Sequence, residues 1–218
     1  MTVHIKTPES PPLRGVIFDI DGVIFDSKET NTSYYNKILE ELGLVPMSAE
    51  DVEYCHMASG KQALERIVPP HLRDKELTKA QKAVPYFDYV LPKLVLEDGL
   101  METLIWLAEQ NIHLGICTNR LTRVPELLQH FGIGHFFSTI KTASNADPKP
   151  SPNGLLATVS EWEITSTQSL FIGDTQADQQ AALGAAMPFW AFGNPQLVAE
   201  RHFHEFASVL KALTPLVG

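Results

Sequence analysis

The sequence predicts an α/β fold, a doubly wound parallel sheet carrying an inserted all-helical unit. Three observations predict it. Short apolar runs at residues 16–18, 112–117, 169–172 and 189–192 each stop at a polar or glycine-containing exit. Stretches with apolar residues at helical spacing separate the later runs, and alternation of strand and helix signals a parallel sheet. Between the first run and the second, residues 28–95 carry helical patterns only. The expected organisation is a core of residues 1–27 and 96–218 and a helical cap of residues 28–95.

Taken in order, residues 1–13 read as a loose arm punctuated by Pro8, Pro11 and Pro12. A strand over 15–19 follows, and Gly22 lets the chain turn sharply away from it. Ser27 or Asn31 can cap a helix whose stripe is Tyr34, Tyr35, Ile38, Leu39 and Leu42, with Gly43 as its stop. Ser48 opens a second helix. Ser59-Gly60-Lys61-Gln62 has the capping-box spacing ahead of Ala63, Leu64, Ile67 and Val68, and Pro69-Pro70 breaks the chain. A charged helix is expected over 72–83, with Pro85 ending or kinking it. Beyond Leu96 come a helix over 99–109, a strand over 112–117 with the exit Thr118-Asn119-Arg120, and a helix over 124–131. A strand over 136–140, a rigid loop over 147–152 and a helix through 159 continue the pattern. The strand over 169–172 exits at Gly173-Asp174 into a helix over 177–183, a strand spans 189–192, and a closing helix is expected over 196–210.

Composition narrows the function classes. With 218 residues, 44% hydrophobic and 20% charged, the chain has the balance of an ordinary globular protein. A formal charge of −9 argues against a nucleic-acid or anionic-membrane partner. No apolar run approaches a membrane span, and the N-terminus lacks the apolar stretch of a signal peptide. Two cysteines, Cys55 and Cys117, make neither a disulfide framework nor a metal site, so a reducing, cytoplasmic compartment is expected.

The chemistry is expected at four strand exits: Asp19/Asp21, Thr118/Asn119, Lys149 and Asp174/Asp178. Parallel strands bring such exits to one carboxyl edge, where α/β proteins bind ligands. Two carboxylates so close are costly without a shared cation or proton. Several carboxylates suit Mg²⁺, and a hydroxyl, an amide and a lysine suit phosphate oxygens. The set describes phosphoryl transfer, with an aspartate nucleophile dividing hydrolysis into two steps. The eight histidines read as surface or packing residues, because they are scattered and no third ligand joins His202 and His204.

These exits, with Asp19-Ile20-Asp21-Gly22-Val23, Thr118-Asn119, Lys149-Pro150 and Gly173-Asp174-Thr175 in this order, resemble the haloacid dehalogenase superfamily. Within it the chain is similar to phosphoglycolate-phosphatase-like members with a small helical cap on a Rossmann-like core. The resemblance implies that Asp19 is the nucleophile and Asp21 the acid and base. It implies that Thr118 and Asn119 bind the transferring phosphoryl group and that Lys149 restrains charge there. The metal would be Mg²⁺, held by Asp19, the backbone carbonyl of Asp21 and Asp174, with Asp178 a second acidic member. The implied partner is a small phosphorylated metabolite, the chain being a monomer or homodimer; Lys28, Ser59, Gly60, Lys61 and Arg66 are candidates to face it. A phosphomutase of the β-phosphoglucomutase type shares core and cap, and a non-catalytic binding protein on the same core is the third reading. Ala186 departs from the family, standing where a glycine often precedes the last core strand.

Overall fold

In the computed structural model, which describes residues 11–58, 60–121 and 123–217, a six-stranded parallel sheet forms the centre. The chain enters through β1 (Gly15–Phe18), then β2 (Phe25–Asp26) and five helices: α1 (Lys28–Glu41), α2 (Ala49–Met57), α3 (Gly60–Ile67), α4 (Lys75–Ala83) and α5 (Tyr86–Val90). It returns through β3 (Val95–Leu96) into α6 (Leu100–Glu109), β4 (His113–Cys117), α7 (Val124–His130), β5 (Thr139–Lys141) and α8 (Asn153–Glu161). It finishes with β6 (Ser169–Gly173), α9 (Gln176–Gly184), β7 (Phe189–Phe192), β8 (Arg201–Phe203) and α10 (Phe206–Leu213). The strand order is β5-β4-β1-β6-β7-β8, so β1 is central, with β4 and β6 on either side. The first ten residues of the expected N-terminal arm, and Ser59 of the capping-box pattern, lie outside the described residues.

Successive residues of a strand point to opposite faces of its sheet. Val16, Phe18, Ile116 and Ile172 accordingly belong to one buried cluster, with Leu104 and Leu107 of α6 and Phe206 and Val209 of α10. Ile17, Phe171 and Phe189 belong to the other, with Leu155 and Val159 of α8 and Ala181 and Ala182 of α9. Both faces are covered by helices, which is the doubly wound arrangement.

Four expectations about elements are corrected. The closing helix over 196–210 is instead the edge strand β8 followed by α10, because Glu205 is extended (φ −152°). Phe203 packs on Trp190 at 5.0 Å between ring centres, and three residues with exposed Arg201 and His202 show no alternation to read. The strand over 136–140 is displaced to Thr139–Lys141, since Gly134–Phe136 forms a tight 3-10 turn. The helix expected over 72–83 begins only at Lys75, after a proline-led turn at Pro70–Leu72; it ends at Ala83 ahead of Pro85, as expected, and Pro85 leads into α5. Residues 28–95 are not purely helical, for Val95 lies in β3, which pairs antiparallel with β2 where the chain leaves and rejoins the core. Ala186 adopts the left-handed φ of +49° that a glycine would take without strain.

Candidate active site

The central strand places Asp19 one residue beyond its end, buried at 5% exposure, with its backbone N–H donating to Ile172 of β6. Asp174, one residue past β6, and Asp178, in the first turn of α9, lie beside it. One carboxylate oxygen from each of Asp19, Asp174 and Asp178 falls within 4.8 Å of the others. Thr175 caps α9 and, with Asp178, forms a reciprocal capping box that fixes the Asp178 carboxylate. Gly22 (φ +74°) is required twice over: its backbone is left-handed, and a Cβ there would stand 2.1 Å from Asp174 Oδ2.

A single lysine answers these acids. Lys149 Nζ lies 2.8 Å from Asp19 Oδ1 and 2.5 Å from Asp178 Oδ1, as ion pairs rather than aligned hydrogen bonds. Its position depends on Asn119, whose side-chain amide donates to Lys149 O at 2.9 Å and accepts from Lys149 N at 2.8 Å. Both ends of the Asn119 amide are thus engaged on the Lys149 backbone, just ahead of the cis Lys149-Pro150 bond. Thr118 is buried at the exit of β4, where its Oγ1 accepts from Arg120 N, and it lines the same cavity.

The charge balance is unequal. Burial raises Asp19 to about 8, with Lys149 opposing and Asp178 and Asp174 reinforcing the rise. Burial raises Asp174 to about 6, against the hydrogen bond from His56. Lys149 is held above the usual lysine value, because Asp178 and Asp19 outweigh the cost of its burial. Asp174 Oδ1 is buried with neither a hydrogen bond nor an ion pair. Among the described residues, three buried carboxylates face one ammonium and the His56 imidazole, with an orphaned oxygen among them, a donor set that fits a hard divalent cation.

Asp21 points elsewhere. Its carboxylate receives two hydrogen bonds from Arg120, each 2.7 Å, and one from Asn31 Nδ2 at 3.3 Å. Burial pushes its pKa up, but the Arg120 charge and these hydrogen bonds win and hold it at about 2. Asn31 Oδ1 accepts in turn from the Tyr86 hydroxyl at 2.8 Å. Neither Arg120 nor Tyr86 was singled out by sequence; the signal for Arg120 was its place directly after Thr118-Asn119. His56, in the last turn of α2, sets Nε2 3.2 Å from Asp174 Oδ2, so it is not a surface or packing histidine. Burial lowers its pKa, yet the Asp174 contact raises it overall. No sequence pattern marks His56, because its partner lies on a distant strand exit.

A cavity of ≈610 Å³ opens above these groups, between the strand exits and α1–α5. Lys61 and Gly60 line it. Lys28 and Arg66 do not, being paired instead with Glu53 and with Glu50 and Asp51.

A family model described as haloacid dehalogenase-like hydrolase matches residues 16–192, taking in every strand exit above. The chain belongs to this family. A phosphoglycolate phosphatase from Pseudomonas putida is 32% identical to it over 183 residues, 80% of this chain and 67% of that one. Among solved structures, a haloacid dehalogenase superfamily hydrolase of subfamily IA from Geobacter sulfurreducens superposes with a TM-score of 0.77 at 30% identity. It covers 95% of this chain and 99% of its own. A β-phosphoglucomutase from Clostridium difficile shares the fold, with a TM-score of 0.76 at 20% identity over 93% of this chain and 98% of that one. The family assignment agrees with the strand-exit geometry, and no helix among the described residues is long and apolar enough to cross a membrane.

Proposed function

We propose that this chain is a Mg²⁺-dependent phosphatase that hydrolyses a small phosphorylated metabolite through an aspartyl-phosphate, in the manner of phosphoglycolate phosphatases. The observation that carries the reading is the cluster of Asp19, Asp174 and Asp178 beside Lys149, from which Asp19 and Lys149 reach the lining of the cavity. Asp19 attacks phosphorus, forming an Oδ–P bond while the P–O bond to the leaving alcohol breaks. Asp21 gives that alcohol its proton, then takes one from the water that displaces Asp19 and releases phosphate. Its carboxylate, held at about 2 by Arg120, must leave the guanidinium before it can carry a proton at neutral pH. Thr118 offers a hydroxyl to the phosphoryl oxygens, Lys149 neutralises charge on the nucleophile, and Asn119 holds the Lys149 backbone in place. A Mg²⁺ held by Asp19, Asp174 and the Asp21 carbonyl, with Asp178 beside them, supplies charge neutralisation to the transferring group.

Residues 28–95 form a cap over a core of residues 1–27 and 96–218; its contacts Asn31–Asp21 and His56–Asp174 support that division. The test is phosphate release from a panel of phosphoesters, with and without Mg²⁺, using Asp19→Asn as the blank. Metal-dependent release that disappears in the variant is expected. Release that persists in Asp19→Asn overturns the nucleophile. Isomerisation of a sugar phosphate dependent on a bisphosphate, with little release, gives the mutase instead.

A further inference from the structure

The three acids of the cluster are held by partners of different origin. Lys149 Nζ lies 2.8 Å from Asp19 Oδ1, and Thr175 N donates to Asp178 Oδ2 at 3.0 Å, so two of the acids are held from within the core. Asp174 is different. Its backbone is fixed there, since its carbonyl accepts from Asn194 Nδ2 at 2.9 Å, and its Oδ2 packs over Gly22. Among the described residues, however, the side chain that meets its carboxylate is His56 of α2, with Nε2 3.2 Å from Oδ2. The other oxygen, Oδ1, is buried and unpaired.

The imidazole does more than fill space. Its Nδ1 is buried without a hydrogen bond, a cost that an apolar side chain at this place in α2 would avoid. The contact with Asp174 is what a histidine adds here. An ionised carboxylate only accepts hydrogen bonds, so Nε2 carries the proton and donates to Oδ2. With Oδ2 engaged, the carboxylate is restricted in its rotation and Oδ1 is the atom left for a cation. Hydrogen bonds placed behind a ligating group in this way set its orientation and the affinity of the metal site.

We propose that His56 is a positioning residue for the cation site, orienting Asp174 from the cap so that divalent-cation affinity is coupled to the seating of α2 on the core. This rests on the metal ligands of the reading above, and the experiment separates the two. Coupling is reciprocal: a cap contact that tightens cation binding is itself tightened by the cation. Mg²⁺ affinity is measured by calorimetry on the full chain, on His56→Leu, which fills the space without a donor, and on His56→Gln, whose amide can still donate to Oδ2. His56→Leu is expected to bind Mg²⁺ about tenfold more weakly or worse, and His56→Gln to recover most of the loss. Hydrogen exchange at the amides of α2 is followed in the same samples. Mg²⁺ is expected to slow it in the unaltered protein and in His56→Gln, and to leave it unchanged in His56→Leu. Equal or tighter Mg²⁺ binding by His56→Leu overturns the inference, as does a His56→Gln that binds no better than His56→Leu. Exchange in α2 that ignores Mg²⁺ in the unaltered protein overturns the coupling. Phosphate release is assayed in parallel. No release from any phosphoester, with the affinities as expected, overturns the phosphatase reading and leaves the role of His56 standing. Mg²⁺-dependent release with unchanged affinity in His56→Leu does the reverse. A protein that binds no Mg²⁺ overturns the cation site and this inference with it.

Discussion

Without a divalent cation, the acid cluster should make the protein less stable as the pH rises from 4 to 8. Asp174 illustrates the sign. Burial raises its folded pKa from 3.8 to about 6, so the folded protein keeps a proton that the unfolded chain has already released. Stability is full below the unfolded value near 4 and is lost as the pH climbs through the folded one. A difference of about two units corresponds to about 3 kcal/mol. Asp19, raised to about 8, acts in the same direction. Replacing Asp174 by Asn removes this titration and, with it, the rise that Asp174 imposes on His56 and Asp19, both of which act in the same direction. The stability difference between the protein and this variant therefore reads the part of the cluster that depends on Asp174. In EDTA, urea unfolding should show that difference moving by about 3 kcal/mol against the unaltered protein between pH 4 and pH 7.5. Saturating Mg²⁺, at about 100 times its dissociation constant, should return about 2.7 kcal/mol to the unaltered protein and much less to Asp174→Asn. A difference that stays flat with pH, or an equal Mg²⁺ gain in both proteins, refutes the reasoning about the cluster.

Other substitutions probe separate parts of the site. Asp19→Asn should reduce phosphate release by roughly 10⁴-fold or more while circular dichroism stays unchanged. Arg120→Ala leaves Asp21 without its two short hydrogen bonds, so burial dominates and the Asp21 pKa should rise from about 2 to above the ordinary carboxylate value. Carbon-detected NMR titration reads that shift, and about 1–3 kcal/mol of stability should go with it, discounted because Asp21 is 25% exposed. Ala186→Gly relieves a left-handed alanine at φ +49°, against the greater freedom of glycine in the unfolded chain, and should stabilise by about 0.5 kcal/mol in urea unfolding. Gly22→Ala forces a Cβ onto Asp174 Oδ2 and should weaken Mg²⁺ binding measured by calorimetry.

The elements that could be read from sequence are those whose burial is decided locally. Val16, Ile17 and Phe18 are apolar on both faces because helices cover both, and a continuous apolar run followed by Asp19 needs no tertiary knowledge to read. Ser48, Gly43 and Pro125 marked helix ends correctly through the capping and φ preferences of single residues. What could not be read depends on partners far along the chain. β8 is held by β7 and by Trp190, and nothing within Arg201–Phe203 itself requires a strand. His56 matters only because α2 carries it to Asp174, 118 positions later. Asn119 has the composition of a phosphate ligand and lines the cavity, but its amide also holds the backbone of Lys149, a use that only the fold reveals.

The strand order explains why one cluster can be assembled with so little reach, and why Lys149 needs help. Adjacent strands lie about 4.8 Å apart. Because β4, β1 and β6 are neighbours, residues just beyond their ends, Thr118, Asp19 and Asp174, stand side by side without special loops. Lys149 follows β5, two strands away from β1, or about 10 Å at that spacing. Its long side chain spans part of the gap, and the two hydrogen bonds exchanged with Asn119, itself just past β4, draw the intervening loop across the rest. Asn119 therefore acts on the site through Lys149. Asn119→Ala should loosen the Lys149–Asp19 and Lys149–Asp178 pairs together, whereas Thr118→Ala removes one hydroxyl and leaves both pairs intact. Crystal structures of the two variants distinguish these outcomes: Lys149 displaced from both carboxylates in the first and unmoved in the second. A Lys149 that keeps both contacts in Asn119→Ala would show that the lysine is held by the acids alone.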